Sequence, residues 1–344
     1  MRNRILDLCS LSGISGNEQY VRDYLVKQLQ NAPAVTNIHI DNMGNCIVTL
    51  KGEQRAPKRV LFAAHMDEVG GIVTGITDEG YLRFDTVGGI EPEVLFDRTV
   101  QINGHFGVIG GKAVHQCTTD EKKKIPAVHD MLIDIGADSK EEAETVAKEG
   151  DAVTFVSSNF CLSKDMFACK ALDDRAGCAL LLALAQTTPK YDVTIVFTVQ
   201  EEIGLRGAQT VASAVSPELA VIVDATTAAD SADTPPDKQI SFVGGGPVVS
   251  FMDRATLYDK ALYSYIRKVA EQNGIPTQTK TMVAGGNDAG AIQRAGIGVQ
   301  VAAVSLPCRY IHSPSCVLKE QDITDTYRLL EVLCNTLPAW ESTI

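Results

Sequence analysis

TVQEEIGLRG, residues 198–207, continues the apolar, β-branched run at residues 193–199. Such a run reads as a buried strand. It ends in two adjacent glutamates, Glu201 and Glu202, with a glycine soon after at Gly204. Like charges side by side at the end of a buried strand cost free energy unless something positive lies between them. The same pattern recurs along the chain. RVLFAAHMDEVG (59–70) is a buried strand whose polar residues come at its carboxyl end, and ELAVIVDAT (218–226) and GVQVAAVSLP (298–307) are further strands. DDRAGCALLLALAQ (173–186), ALYSYIRKVAEQNG (261–274) and residues 322–337 carry helical spacing. Strands alternating with helices imply an α/β fold: a mixed, mostly parallel sheet with helices on both faces.

Toward the amino terminus, helical spacing at residues 5–11 leads through the turn GISGNE into a second helix carrying Val21, Tyr24, Leu25 and Leu29. NIHIDNMGNCIVTL reads as two strands about an Asn-Met-Gly-Asn turn. Between residues 69 and 163 the texture changes. GIVTGITDEGYLRFDTVGG and RTVQINGHFGVIGG show short alternating strands with glycine-rich turns, the pattern of a small β-barrel or sandwich. A helix interrupts them, with Ser139 and Glu142 as a capping box and Gly150 at its end. The expected organisation is an α/β domain in two parts, 1–68 and 164–344, around an inserted β-barrel-like domain at 69–163.

Composition narrows the function. The 344 residues carry 31 Lys and Arg against 43 Asp and Glu, a net charge of −12. That disfavours nucleic acid and anionic membranes as main partners. Nine cysteines, odd in number and with no C-x-x-C pair, suit reduced thiols in a cytoplasm. Arg2 and Arg4 are followed by Asp7 in a short amphipathic run, unlike a signal peptide, and no apolar stretch approaches the ~20 residues of a membrane span.

Ligands in open α/β sheets bind outside the carboxyl ends of the strands. The polar residues expected there are His65 and Asp67, Glu201 and Glu202, and Asp224; Asp173 and Asp174 open the helix after the insertion, and His312 follows the strand at 298–307. Each has a plainer role available: Asp173 or Asp174 as a helix N-cap, His312 as a hydrogen-bonded loop residue, the glutamates as a solvated edge. Their collection on one rim favours a metal site. Two histidines with several carboxylates suit zinc, cobalt or manganese. One bridging carboxylate would place two ions ~3.5–4 Å apart, supplying the positive charge that Glu201 and Glu202 need.

AHMDEVG, ALDDRAG, TVQEEIGLRGA, VIVDAT, AGGNDAG and RYIHSP, in that order, resemble the motif series of metallopeptidase family 42, the tetrahedral (TET), glutamyl and deblocking aminopeptidases. The resemblance covers nearly the whole chain, including GISGNE and the insertion. It implies a dimetal aminopeptidase acting on short peptides with a free N-terminus, the insertion serving as a dimerisation domain within a hollow tetrahedral dodecamer. It further implies that Asp173 bridges the ions, that His65 and Asp224 complete one site and Glu202 and His312 the other. Asp67 then supports the far nitrogen of His65, Glu201 is the general base for a water between the metals, and Asp174 caps its helix. Gly285, Gly286 and Asp288 shape the substrate pocket, and His39, His105, His115 and His129 are structural. The rival readings are a related dipeptidase, carboxypeptidase or N-deacylase, a glycosidase, whose carboxylates must stand ~5–9.5 Å apart across a sugar, and a non-enzymatic scaffold.

Overall fold

A computed structural model describes residues 1–156 and 159–341. Its main sheet has eight strands in the order Val35–Ile40, Cys46–Leu50, Val193–Thr198, Val60–His65, Leu219–Thr227, Gln300–Cys308, Val248–Val249, Gln278–Thr279. The four central strands, from Val193–Thr198 to Gln300–Cys308, run parallel. The strands flanking them, Cys46–Leu50 and Val248–Val249, are antiparallel to their central neighbours. The fold class is the one expected.

Why the central strands read as unbroken apolar runs is now plain: both faces are covered. Val60, Phe62 and Ala64 enter one core while Leu61 and Ala63 enter the other, and Phe197 and Val196 divide the same way. The helix Leu172–Ala185 is buried at every position and fills the first core. The second core is closed by Ala208, Val211 and Ala212 of the helix Arg206–Val215 and by Ala289 and Ile292 of the short helix Ala289–Gln293.

Past His65 the chain leaves the sheet and builds a closed six-stranded barrel in the order Gly70–Ile76, Leu82–Val87, Leu132–Asp134, His105–Gly110, Thr99–Ile102, Ala152–Phe155. The barrel has its own core, which includes Val73, Leu82, Phe84, Val100, Ile133 and Val153. The chain then returns through Met166–Cys169, which pairs with Cys316–Lys319 beside the main sheet.

Two local expectations need correction. The helix expected between Ser139 and Gly150 is a single turn, Lys140–Ala143. Ser139 caps the amide of Glu142 as expected, but Glu142 reaches back to the amide of Asp138 rather than to that of Ser139. Beyond Ala143 the amides of Thr145 and Val146 bond three residues back, which tightens and ends the helix. Conversely, Arg206–Val215 is a ten-residue helix directly after the glutamates. It starts from left-handed Leu205 with no side-chain cap, so it lacks the usual opening signal. No described helix is long and apolar enough to cross a membrane.

Candidate active site

The carboxyl ends of the central strands bring five side chains to one cavity of about 190 Å³: His65, Asp173, Glu202, Asp224 and His312. His65 ends its strand, and Asp224 lies in the strand next to it in the sheet. Asp173 precedes the regular turns of its helix, its backbone still extended (φ −87°, ψ 106°). Glu202 and His312 come from the loops after the strands Val193–Thr198 and Gln300–Cys308.

Asp173 stands between the two histidines. Its Oδ1 is 3.2 Å from His65 Nε2, and its Oδ2 is 3.6 Å from His312 Nε2. His65 Nε2 also lies 3.6 Å from Asp224 Oδ1, and His312 Nε2 lies 3.3 Å from Glu202 Oε2. Carbonyl oxygens hold the other ring nitrogens: Asp67 O at 3.2 Å from His65 Nδ1, and Gly89 O at 2.7 Å from His312 Nδ1. Such contacts fix the tautomer and aim Nε2 inward. Gly89 follows the barrel strand Leu82–Val87, so the insertion helps to orient a residue of the site.

Asp67 meets His65 Nδ1 with two groups, its main-chain carbonyl at 3.2 Å and its carboxylate Oδ1 at 3.5 Å. The carboxylate also accepts the amide of Glu201 at Oδ1 (3.0 Å) and, at Oδ2, the amide of Glu202 (3.1 Å) and the Ser15 hydroxyl (2.6 Å). The two preceding amides are held likewise, Val199 by Asn45 Oδ1 and Gln200 by Glu18 Oε1. Four successive amides that have left the strand ladder thus find side-chain acceptors, as buried backbone donors require. Ser15, Glu18 and Asn45 were missed in the sequence; the GISGNE turn was the only hint of the first two.

Burial and crowding set the electrostatics. Burial drives Glu202 up to about 8, Asp288 to about 7 and Asp224 to about 6, and lifts Glu201 well above the usual carboxylate range. Burial opposes charge on the histidines too, yet the hydrogen bond to Asp173 and the charges of Glu202 and Asp173 raise His312 to about 10. His65 rises for similar reasons, through Asp173, Asp224 and Asp67. Asp173 falls despite its burial, because both imidazoles bond to it. Left to its own groups, the cluster gathers protons; it calls for positive charge.

Two donor groups have ligand atoms within 4.8 Å of one another: His65, Asp174 and Asp224, and His65, Asp173 and Glu202. Asp174 caps Gly177 through Oδ1 (3.0 Å), while its buried Oδ2 has no hydrogen-bond partner among the described residues. A nitrogen-and-oxygen donor set with a bare buried carboxylate oxygen fits a divalent cation. Glu201 also faces the cavity, and its carboxylate makes no hydrogen bond among the described residues. Gly285 and Gly286 line the wall, whereas Asp288 stands behind it and accepts the Thr198 hydroxyl at 2.5 Å. His39, His105, His115 and His129 are exposed and away from the cavity.

Behind the ligands lies a buried ion network. Lys170 Nζ is 2.7 Å from both oxygens of Glu68, and Arg175 Nη2 is 3.2 Å from Glu68 Oε1. Arg175 also donates to the carbonyls of Leu8, Leu11, Gly13 and Met66.

The profile of a family described as M42 glutamyl aminopeptidase matches residues 44–329. The chain belongs to the M42 family. As an M42 member it is a peptidase, and its His, Asp and Glu cluster is consistent with divalent-metal binding. It is 33% identical over 342 residues to the lysyl aminopeptidase of Pyrococcus furiosus, covering 96% of each chain. Among solved M42-like structures, a TET aminopeptidase from a marine sediment archaeon of the Thaumarchaeota superposes with a TM-score of 0.93 at 34% identity, over 98% of this chain and 96% of that one. The TET1 peptidase of Pyrococcus horikoshii, described as assembling into a tetrahedron or a large octahedral shell, gives 0.86 at 33% identity over 97% and 99%.

Proposed function

We propose that the protein is a dimetal aminopeptidase that releases residues from the free N-terminus of short peptides. The observation that carries this reading is Asp173, with one carboxylate oxygen against His65 and the other against His312. His65, Asp173 and Asp224 would hold one cation, and Asp173, Glu202 and His312 the other. Zinc, cobalt and manganese suit these donors, zinc and cobalt best. Bound there, such cations would lower the pKa of a water they hold and polarise the scissile carbonyl.

The chain's own groups do the rest. Glu201, whose carboxylate faces the cavity with no hydrogen-bond partner among the described residues, takes a proton from the attacking water and returns it to the leaving amine. Asp67 positions both glutamates through their amides. Gly285, Gly286 and, from behind, Asp288 shape the wall against which the substrate rests. We divide the chain at 1–68, 69–163 and 164–344, with the inserted barrel as a dimerisation domain of a tetrahedral dodecamer; the assemblies described for its structural neighbour support this. Nine unpaired thiols support a reducing cytoplasm.

The test is turnover of aminoacyl anilides, free or N-acetylated, by chelated protein given back zinc, cobalt or manganese. Metal-restored activity confined to the free amine is expected. Equal turnover of the acetylated substrates would move the protein to the deacylases.

A further inference from the structure

Residues 41–45, the turn between the first two strands of the chain, lie outside the cavity, yet the last of them reaches the loop that carries both glutamates. Asn45 is fully buried and directly precedes the strand Cys46–Leu50. That strand pairs with Val193–Thr198 as far as Cys46 and Phe197. Asn45 thus meets the neighbouring chain just where it leaves the sheet. Its Oδ1 accepts the Val199 amide at 3.0 Å, and its Nδ2 donates to the Gly207 carbonyl at 3.1 Å. The Gly207 amide in turn donates to the Val199 carbonyl at 3.0 Å. One side-chain amide therefore ties residues 199 and 207 together and closes the neck of the loop between them.

Asn45 is itself held in one orientation. Asp41 Oδ1 accepts the amides of Met43, Gly44 and Asn45, and Asp41 Oδ2 accepts Asn45 Nδ2 at 2.7 Å. A carboxylate acceptor must face the NH₂ end of the Asn45 amide, which leaves Oδ1 for Val199. The loop needs such a hold. Gln200 at φ +55° and Leu205 at φ +59° occupy the left-handed region without being glycine, and strained backbone of this kind persists only where its surroundings over-determine it. The two glutamates depend on the loop unequally. Glu202 Oε2 has His312 Nε2 beside it. The Glu201 carboxylate has no hydrogen-bond partner among the described residues, so its backbone alone sets its direction.

We propose that Asn45 is a positioning residue for the general base: by closing the loop at residues 199 and 207 it aims the Glu201 carboxylate at the attacking water. The inference rests on the aminopeptidase reading above. Asp67 and Glu18 hold amides within the loop, whereas Asn45 holds its two ends.

The experiment measures kcat, KM and metal content of metal-loaded enzyme in the parent, Asn45→Ala, Glu201→Gln and the double variant. The substrate is whichever of the Leu, Glu and Lys p-nitroanilides the parent turns over fastest. Asn45→Ala should lower kcat roughly 10–100-fold, the range expected when a reacting group is misplaced by about 1 Å, with KM and metal content unchanged. In the Glu201→Gln background the same substitution should cost less than about threefold, because the group that Asn45 aims is already gone. A merely structural role would lower kcat by the same factor in both backgrounds. Should Asn45→Ala not fold, Asn45→Ser takes its place, its hydroxyl being too short to span Val199 and Gly207. Equal losses in the two backgrounds overturn the proposal, as does an unchanged kcat. A loss that follows release of metal overturns it too, since Asn45 would then act through Glu202. If metal-loaded parent turns over none of the three anilides, the aminopeptidase reading fails and this inference falls with it; an active parent with equal losses sinks the inference alone.

Discussion

Glu201 and Glu202 have their amides on the two oxygens of one carboxylate, yet their side chains meet different surroundings. Glu202 Oε2 stands 3.3 Å from His312 Nε2, whereas the Glu201 carboxylate has no hydrogen-bond partner among the described residues. The proposed roles therefore separate by substitution. Glu201→Gln should keep its metal and lose ~10²–10⁴ in kcat, about 3–5 kcal/mol in the barrier. Glu202→Gln should bind metal more weakly and recover activity at high metal concentration. Metal stoichiometry and kcat across a titration distinguish them, and the reversed pattern would exchange the two roles. His65, Glu201, Glu202 and Asp224 were legible because each comes at or just past the end of an unmistakable apolar run. Glu18 and Asn45 were not. They accept backbone amides 182 and 154 residues away, and accepting an amide needs no motif that one sequence could display.

At the scale of elements, Glu68 links three parts of the fold. It follows the strand Val60–His65, pairs with Lys170 and Arg175 on either side of Asp173, and accepts the Gly13 amide of the N-terminal turn. All three ionic side chains are at most 4% exposed. Glu68→Gln would strand two buried cations beside a neutral amide, and the expected cost is about 3–5 kcal/mol. Urea unfolding reads it as a lower midpoint. An unchanged midpoint would mean that Lys170, whose pKa burial already lowers, sheds its proton cheaply. The parallel core was legible from apolar runs covered on both faces. The helix Arg206–Val215 was hidden because small residues such as Gly207, Ala208 and Ala212 carry a weak apolar signal and no cap precedes them. Gly207 in turn is dictated by contact: a Cβ there would stand 2.3 Å from Asn45 Oδ1 and 2.4 Å from the Val199 carbonyl.

For the whole molecule, the crowded cluster makes stability depend on pH in a definite direction. In chelated protein Glu201, Glu202, Asp224, Asp288, His65 and His312 all have folded pKa values above their usual ones. Groups shifted upward stabilise the fold below their unfolded pKa, and that contribution is lost as pH rises through the folded value. Asp67 and Asp173 are shifted downward and matter only in acid. The Tm of metal-free protein should therefore fall between about pH 6, the Asp224 value, and about pH 8, the Glu202 value. Added zinc should stabilise more strongly at the upper end, because cations replace those protons. A metal-free Tm that climbs over this interval would contradict the electrostatics described here. The spread of the site along the chain has a further consequence, for biosynthesis. Ser15 steadies Asp67, and His312 closes the ring of candidate ligands. A ribosome delivers ~5–20 residues per second from the amino end, so no nascent chain ending before His312 carries the full set. A peptidase that needs His312 would stay inert beside the growing polypeptides around it until the ribosome has passed that residue.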